Sequence, residues 1–566
     1  MQIIKTFFKF IVILFPAGAF AQHTFMPLHS KDDYFMERQE ILEQSNQTLN
    51  FSSVKPFNRK IIASEFFLPN YSLSDDTLLV NLLSVPSNTF IYNKRSLLNN
   101  NNEYFDSVSV FYSHQSLLNT FYKTPAHFFE YRSKDLFLAI DPILNIQFAK
   151  EGNYDSHLFQ NSRGVTLRAR IANKIGLSST IVDNQERGPQ FYQKTVNDFR
   201  AVPGVGFYKV FKGDQSAYDY FDGRGYVTFN ATKYIDFQLG YDKNFIGNGY
   251  RSLFLSDWGN SYLFSKINTR IWKFNYQNLF MEMMPQFTKN GDTLLTRKYA
   301  AMHHLSMNVN PWLNVGLFEG VIFGRKDHFD FQYLNPIIFY RHIEGSVGSP
   351  DNAVAGIDVK ANIKKRAQVY GQLLLDEFIL SNIKNHPTNW TNKFGMQLGA
   401  KYLNLFGIKN LDIQVEMNRV RPFTYSHNDT INNYTHYNQP LAHPLGANFQ
   451  EWLGVIHYQP HPKWTVYGRT IYYYKGLDSG NINFGGNIFE NYNTRSSEDG
   501  FKVGSGDKLT CLNSMLSISY ECKQNLFFDF GILNRQSKQN SQQQKSNSTI
   551  FSLGIRLNAA RKEYDY

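Results

Sequence analysis

The sequence predicts an all-β fold: an 18-stranded antiparallel transmembrane outer-membrane β-barrel, with a smaller, partly helical N-terminal periplasmic or plug segment. Three observations predict it. Apolar and polar residues alternate in short segments from about residue 135 onward; the connections between those segments alternate between long and short; and aromatic residues make up 16% of the chain against only 19% charged. After residue 21 no run approaches the roughly 18 apolar residues a spanning helix needs, so a helical membrane bundle is excluded.

The alternation is explicit. Leu411, Ile413, Val415 and Met417 alternate with Asp412, Gln414, Glu416 and Asn418; Ile235, Phe237, Leu239 and Tyr241 with Asp236, Gln238, Gly240 and Asp242; Val165, Leu167, Ala169 and Ile171 with Thr166, Arg168 and Arg170. Successive side chains of a strand point to opposite faces, so each segment has one apolar and one polar face. A β-sandwich alternates too, but its connections need not alternate in length.

Nine long connections, from 151–162 to 534–548, are separated by eight short ones, from 172–174 to 521–525. Nine hairpins make 18 strands, with short periplasmic turns, long outer loops and both barrel ends inside, as in transmembrane barrels. The barrel is expected over 135–558, closing with Phe551, Leu553, Ile555 and Leu557 on the last strand, before a tail at 559–566. Trp272, Trp312, Trp464, Tyr234 and Phe527 fall at or just after short turns, where an aromatic girdle places rings.

The N-terminus reads differently. Lys5, Lys9, the apolar stretch Phe10 to Phe20 and the motif Ala19-Phe20-Ala21 read as a signal peptide over 1–21, cleaved before Gln22. The mature chain is therefore expected to be exported. Residues 22–134 are expected to form a periplasmic cap or plug, with a helix over Lys31 to Gln44 that carries Tyr34, Phe35, Ile41 and Leu42 on its apolar side.

The formal charge of +11 is dispersed, and its densest cluster, Lys364-Lys365-Arg366, reads as a solvated turn. Nucleic-acid binders concentrate Lys and Arg on one face. An anionic surface glycan suits an exported basic chain better. The two cysteines, Cys511 and Cys522, would lie ~35 Å apart on one strand at roughly 3.3 Å per residue. A disulfide needs Cα atoms within about 7 Å, so no intramolecular bridge is expected.

Catalytic signatures are absent from the sequence. Gly504-Ser505-Gly506-Asp507-Lys508 lacks the strand–loop–helix context of a phosphate loop, and the adjacent pair Asp376-Glu377 would point to opposite faces of a strand. His427, His436 and His443 with Asp429 have spacings that match no compact metal-ligand pattern, and His303-His304 diverge as strand neighbours. No enzyme activity, cofactor or metal is expected. Two long loops, Asn248-Gly249-Tyr250-Arg251 through Trp258 and Pro422-Phe423-Thr424-Tyr425 through Tyr437, combine flat rings with amide and guanidinium donors. Arg251, Trp258, Tyr425 and Tyr437 are the candidate glycan contacts: Trp258 and Tyr437 for stacking, Arg251 for an acidic sugar. The alternative is that these rings order the loops.

Four blocks carry a family resemblance. Gly240 to Phe280 (GYDKNFIGNGYRSLFLSDWGNSYLFSKINTRIWKFNYQNLF), Tyr333 to Asp358, Tyr370 to Phe378 and Asn418 to Asn448 resemble, in order, the Wzi-type capsule-assembly outer-membrane proteins, and in particular their Bacteroidetes relatives described as gliding-motility protein RemB. The resemblance implies an 18-stranded barrel with a helical periplasmic part, and a non-enzymatic role in holding surface polysaccharide or supporting gliding motility. Its expected partners are surface polysaccharide, outer-membrane lipids, and gliding or surface-assembly machinery. The competing class is a passive porin whose lumen Arg168, Arg170 and Arg556 would make basic.

Overall fold

The computed structural model describes residues 24–66, 88–104 and 117–566, apart from 119, 153, 173, 287–293, 337–338, 349–350, 377–379 and 542–544. The expected signal peptide, Glu377 and much of 60–130 lie outside the described residues. Eighteen strands close into one antiparallel barrel. They are β1 Leu136–Glu151, β2 Leu158–Ile171, β3 Ile175–Arg187, β4 Asp214–Asn230, β5 Ile235–Asp242, β6 Tyr262–Ile271, β7 Phe274–Met283, β8 Lys298–Asn310 and β9 Leu313–Phe323. There follow β10 Asn352–Ile363, β11 Ala367–Leu375, β12 Phe394–Tyr402, β13 Leu411–Val420, β14 Phe449–His461, β15 Trp464–Leu477, β16 Asp507–Lys523, β17 Leu526–Gln539 and β18 Lys545–Leu557. Closure is between β18 and β1, with Leu557 opposite Leu144 and Ile550 opposite Glu151. Closure leaves the wall without a free strand edge, the condition for crossing a bilayer without helices.

The period-2 pattern sets which side chains face out. Leu239 and Leu553 are 60% and 63% exposed on the outer wall, while Asn418 and Glu416 are buried inside. Large apolar side chains such as Val165, Leu317, Leu398, Val415 and Phe551 continue this outward band, which is the lipid-facing surface of a transmembrane barrel. Trp272, Trp312, Trp464 and Tyr234 are exposed beside the short turns, as the girdle reading requires. Phe527 is a correction: its ring lies inside, 4.2 Å from the Arg556 guanidinium and 5.7 Å from Lys31 Nζ, and the outward ring is Phe528. A one-residue offset in a period-2 strand is enough to invert the face. Cys511 and Cys522 share strand β16.

The N-terminal segment sits at the short-turn end. Helix α1 (Lys31–Glu43) starts where the Ser30 hydroxyl caps the Asp33 amide. α2 (Arg59–Phe66) and α3 (Thr89–Asn100) accompany it, and Met26, Phe35, Met36, Leu49, Leu97 and Leu98 form a small core of their own. The rest of the segment is polar because it faces the polar inner wall. Arg38 pairs with Asp412 at 2.8 Å, Glu37 with Lys401 at 2.8 Å and Glu40 with Lys360 at 2.7 Å. Tyr34, expected on the apolar side, instead stacks on His457 with centroids 3.7 Å apart and donates its hydroxyl to Asp412.

Two long loops fold inward from the opposite end. Leu253, Phe254 and Leu255 of loop 243–261 pack with Tyr425, Tyr434, Leu441 and Ala442 of loop 421–448 in a core inside the barrel. Phe254 stacks on Phe318 of β9 at 4.5 Å. Residues 54–55 pair antiparallel with 245–246, so the N-terminal segment and the inward loop meet within the lumen. Loop 324–351 covers the outer wall instead, with Tyr333, Tyr340 and Ile343 packed on Phe280 and Val321.

Candidate functional site

Between these fillings remains a cavity of about 830 Å3. One wall is the inner face of β1–β5, with Asn145, Gln160, Thr180, Asn184, Asp222 and Arg224. Its other sides are the N-terminal segment (His29, Lys55, Arg59), the inward loop (Tyr250, Arg251, Trp258) and the tail 559–566. The alternation of β1–β5 supplies the polar wall, because every second residue points inward.

Of the four sequence-selected residues, Arg251 and Trp258 border this cavity; Tyr425 and Tyr437 do not. Arg251 is buried. Its Nη1 donates to Asp565 Oδ2 at 2.7 Å, its Nη2 approaches Glu451 Oε1 at 3.4 Å, and its amide donates to Glu416 Oε1 at 3.1 Å. Burial works against its charge, yet the Asp565 and Glu451 carboxylates raise its pKa above the ordinary guanidinium value. Trp258 is partly exposed and meets Tyr566 edge to face at 5.6 Å.

Tyr425 is fully buried in the loop core, its hydroxyl donating to Leu253 O at 2.8 Å and its amide to Asp376 Oδ2 at 2.5 Å. Tyr437 is 9% exposed, with its amide on Met284 O at 2.9 Å and its ring against Gly206. Gly206 has φ +90°, and a Cβ there would lie 2.5 Å from that ring, so glycine is required. Both tyrosines hold loops together.

The three histidines of loop 421–448 are apart in their contacts. His436 Nδ1 accepts from the Met284 amide at 3.1 Å and its Nε2 donates to Ser261 O at 3.0 Å; burial pushes its pKa down to about 4. His443 Nε2 faces Glu451 at 2.8 Å, and His427 Nδ1 accepts from the Asp429 amide at 3.1 Å. No group of three His, Cys, Asp or Glu side chains is arranged for a metal among the described residues. The arginines expected to make the lumen basic do face inward, but two of the three are paired with carboxylates. Arg168 Nε meets Glu103 at 2.6 Å and Arg556 Nε meets Asp529 at 2.9 Å, while Arg170 covers the Tyr104 ring at 5.6 Å.

Sequence reasoning missed the tail, whose Asp565 and Tyr566 touch both cavity-lining candidates. Its charge run Arg561-Lys562-Glu563 with Asp565 is the one signal that could have marked it as something other than a solvated end.

No family model and no curated protein matches the sequence. Among solved structures, the chain is similar to Wzi, an outer membrane protein involved in group 1 capsule assembly in Escherichia coli and a carbohydrate binding β-barrel. The TM-score is 0.54 at 11% identity, over 96% of this chain and 100% of that one. This chain has the Wzi fold. The Pseudomonas aeruginosa outer membrane protein OprD is a looser match, with TM-score 0.40 and 10% identity over 74% of this chain and 94% of that one. OpdK of Pseudomonas aeruginosa, solved with vanillate, gives 0.42 and 8% over 74% and 98%.

Proposed function

We propose that this protein is a non-enzymatic outer-membrane barrel that holds exopolysaccharide at the cell surface. The observation that carries the reading is the double closure of the lumen. The N-terminal segment fills one end, the loops 243–261 and 421–448 the other, and a polar cavity edged by Trp258 and Arg251 is left between them. A conduit gains nothing from such filling; a binding scaffold gains rigidity. The carbohydrate binding of Wzi, on the same fold, supports the same assignment.

In this reading Trp258 offers a ring to an apolar sugar face and Arg251 a fork of donors to hydroxyls or a carboxylate. Tyr425 and Tyr437 contribute by fixing the loops. A Trp258→Ala variant that reaches the outer membrane in normal amount should lose retention of surface polysaccharide, scored by glycan staining against a deletion strain. Retention equal to wild type in both strains removes the reading. Spreading on agar, scored in the same strains, tests the motility role that the RemB-like blocks suggest.

A further inference from the structure

The segment 559–566 turns back into the lumen after β18, and its charged side chains are matched one by one. Lys562 Nζ donates to both carboxylate oxygens of Glu186 at 2.5 Å and to Tyr220 Oη at 3.1 Å. Glu563 forms the ion pair of Arg469, a fully buried residue of β15. Asp565 accepts from Arg251 Nη1 at 2.7 Å and from Tyr250 Oη at 3.0 Å, and Tyr250 Oη in turn accepts from Arg469 Nη1 at 3.0 Å.

Beneath the tail, then, two buried guanidinium groups flank Tyr250, Arg469 on its hydroxyl and Arg251 5.2 Å from its ring centre, and both pair with carboxylates of the tail. Burying a cation without an anionic partner is costly, so these two positions are built for an anionic occupant. Glu451 of β14 gives Arg251 a longer contact of 3.4 Å, whereas among the described residues the ion pair of Arg469 is made by the tail. The Nε groups of both arginines are buried donors with no hydrogen-bond partner among the described residues. A guanidinium fork matches a carboxylate in two contacts at once. The rings beside it, Tyr250 and Trp258, suit the apolar face of a pyranose.

We propose that Arg251 and Arg469, with Tyr250 and Trp258, form a binding site for a carboxylated sugar, and that Glu563 and Asp565 of the chain's own tail occupy it at rest. Ligand and tail then exclude one another, and the acidic polysaccharide enters only as the tail leaves. This rests on the glycan-holding reading and gives it a substrate class.

The test uses purified full-length protein in detergent, with trigalacturonate and cellotriose as probes in titration calorimetry. A Glu563→Gln, Asp565→Asn double variant weakens the tail and leaves both arginines in place. Trigalacturonate should bind it about tenfold more tightly than it binds wild type, the loss of about 1.4 kcal/mol of competition. Arg469→Gln should abolish that binding, and cellotriose should bind all three proteins alike. Heat-modifiable migration confirms folding. Should the double variant not fold, a nitroxide on residue 566 of the otherwise wild-type chain gives the same answer by gaining mobility as trigalacturonate is added. Equal trigalacturonate affinity with and without the tail charges, or no preference over cellotriose, overturns the proposal while leaving glycan holding intact. If neither probe binds either protein the proposal falls too, and the polysaccharide retention of Trp258→Ala then decides the broader reading separately.

Discussion

Arg168 of β2 and Glu103 of the N-terminal segment meet at 2.6 Å inside the barrel, both shielded from water. The pair joins wall to plug, and Arg168 also donates to Asn100 O at 3.0 Å. Glu103→Ala would leave a buried guanidinium unpaired, at a cost of about 3–5 kcal/mol. The expected outcome is faster hydrogen exchange across 24–66 and 88–104 with strand exchange unchanged. Unchanged protection of the N-terminal segment would show that other contacts hold the plug.

The lumen is filled in two layers, a packing that predicts little or no conductance. Full-length protein should be silent in a planar bilayer. Deleting residues 24–130 removes only the short-turn-side layer, because Leu253 to Leu255 and Tyr425 remain packed inside. Small, intermittent openings are expected from that variant. Large steady channels from it, or from the intact chain, would contradict the packing.

Phe254 anchors the second layer. Its ring is fully buried and stacks on Phe318, so Phe254→Ala should cost about 3–5 kcal/mol through lost burial and the cavity left behind. A lowered midpoint of heat-modifiable unfolding, with faster exchange in 243–261, checks this. A variant as stable as wild type would mean that the loop is not held by its apolar core.

The contact of His29 with Asp257, at 2.5 Å, joins the N-terminal segment to the inward loop and gives a pH dependence. The Asp257 carboxylate is the main cause that raises the His29 pKa from 6.5 to about 9; partial loss of hydration inside the barrel opposes it, Asp33 adds to it and Lys55 subtracts. A raised folded-state pKa means that the stabilisation is complete below about 6.5 and is lost as pH climbs through about 9. The ring is open to lumenal water, so the effect is local and modest. Exchange at 24–30, corrected for intrinsic rate, should rise between pH 7 and 10 in wild type and stay level in His29→Gln. A rise of equal size in both proteins would exclude the pair as its cause.

The strands were legible because their information is local. Alternation over Leu411 to Asn418 specifies an inner and an outer face without reference to any other strand, and loop lengths order the hairpins. The helix at Lys31 was legible for the same reason, from the apolar spacing of Phe35 and Ile41, both buried in the structure. Phe527 shows the limit of local pattern: a strand's start is uncertain by a residue, and one residue swaps lipid for lumen.

The sequence by itself determined the barrel, its strand count and the polar inner face: the face follows from neighbours two residues apart, the count from the alternation of long and short connections. Tertiary structure alone decided what fills that barrel. Whether loop 243–261 projects outward or folds in depends on Phe254 finding Phe318, and composition is the same either way. Arg251 reads as a free sugar-binding donor until Asp565, 314 residues away, is placed against it. Closure of the wall brings such distant residues within reach, and burial then makes their charges pair.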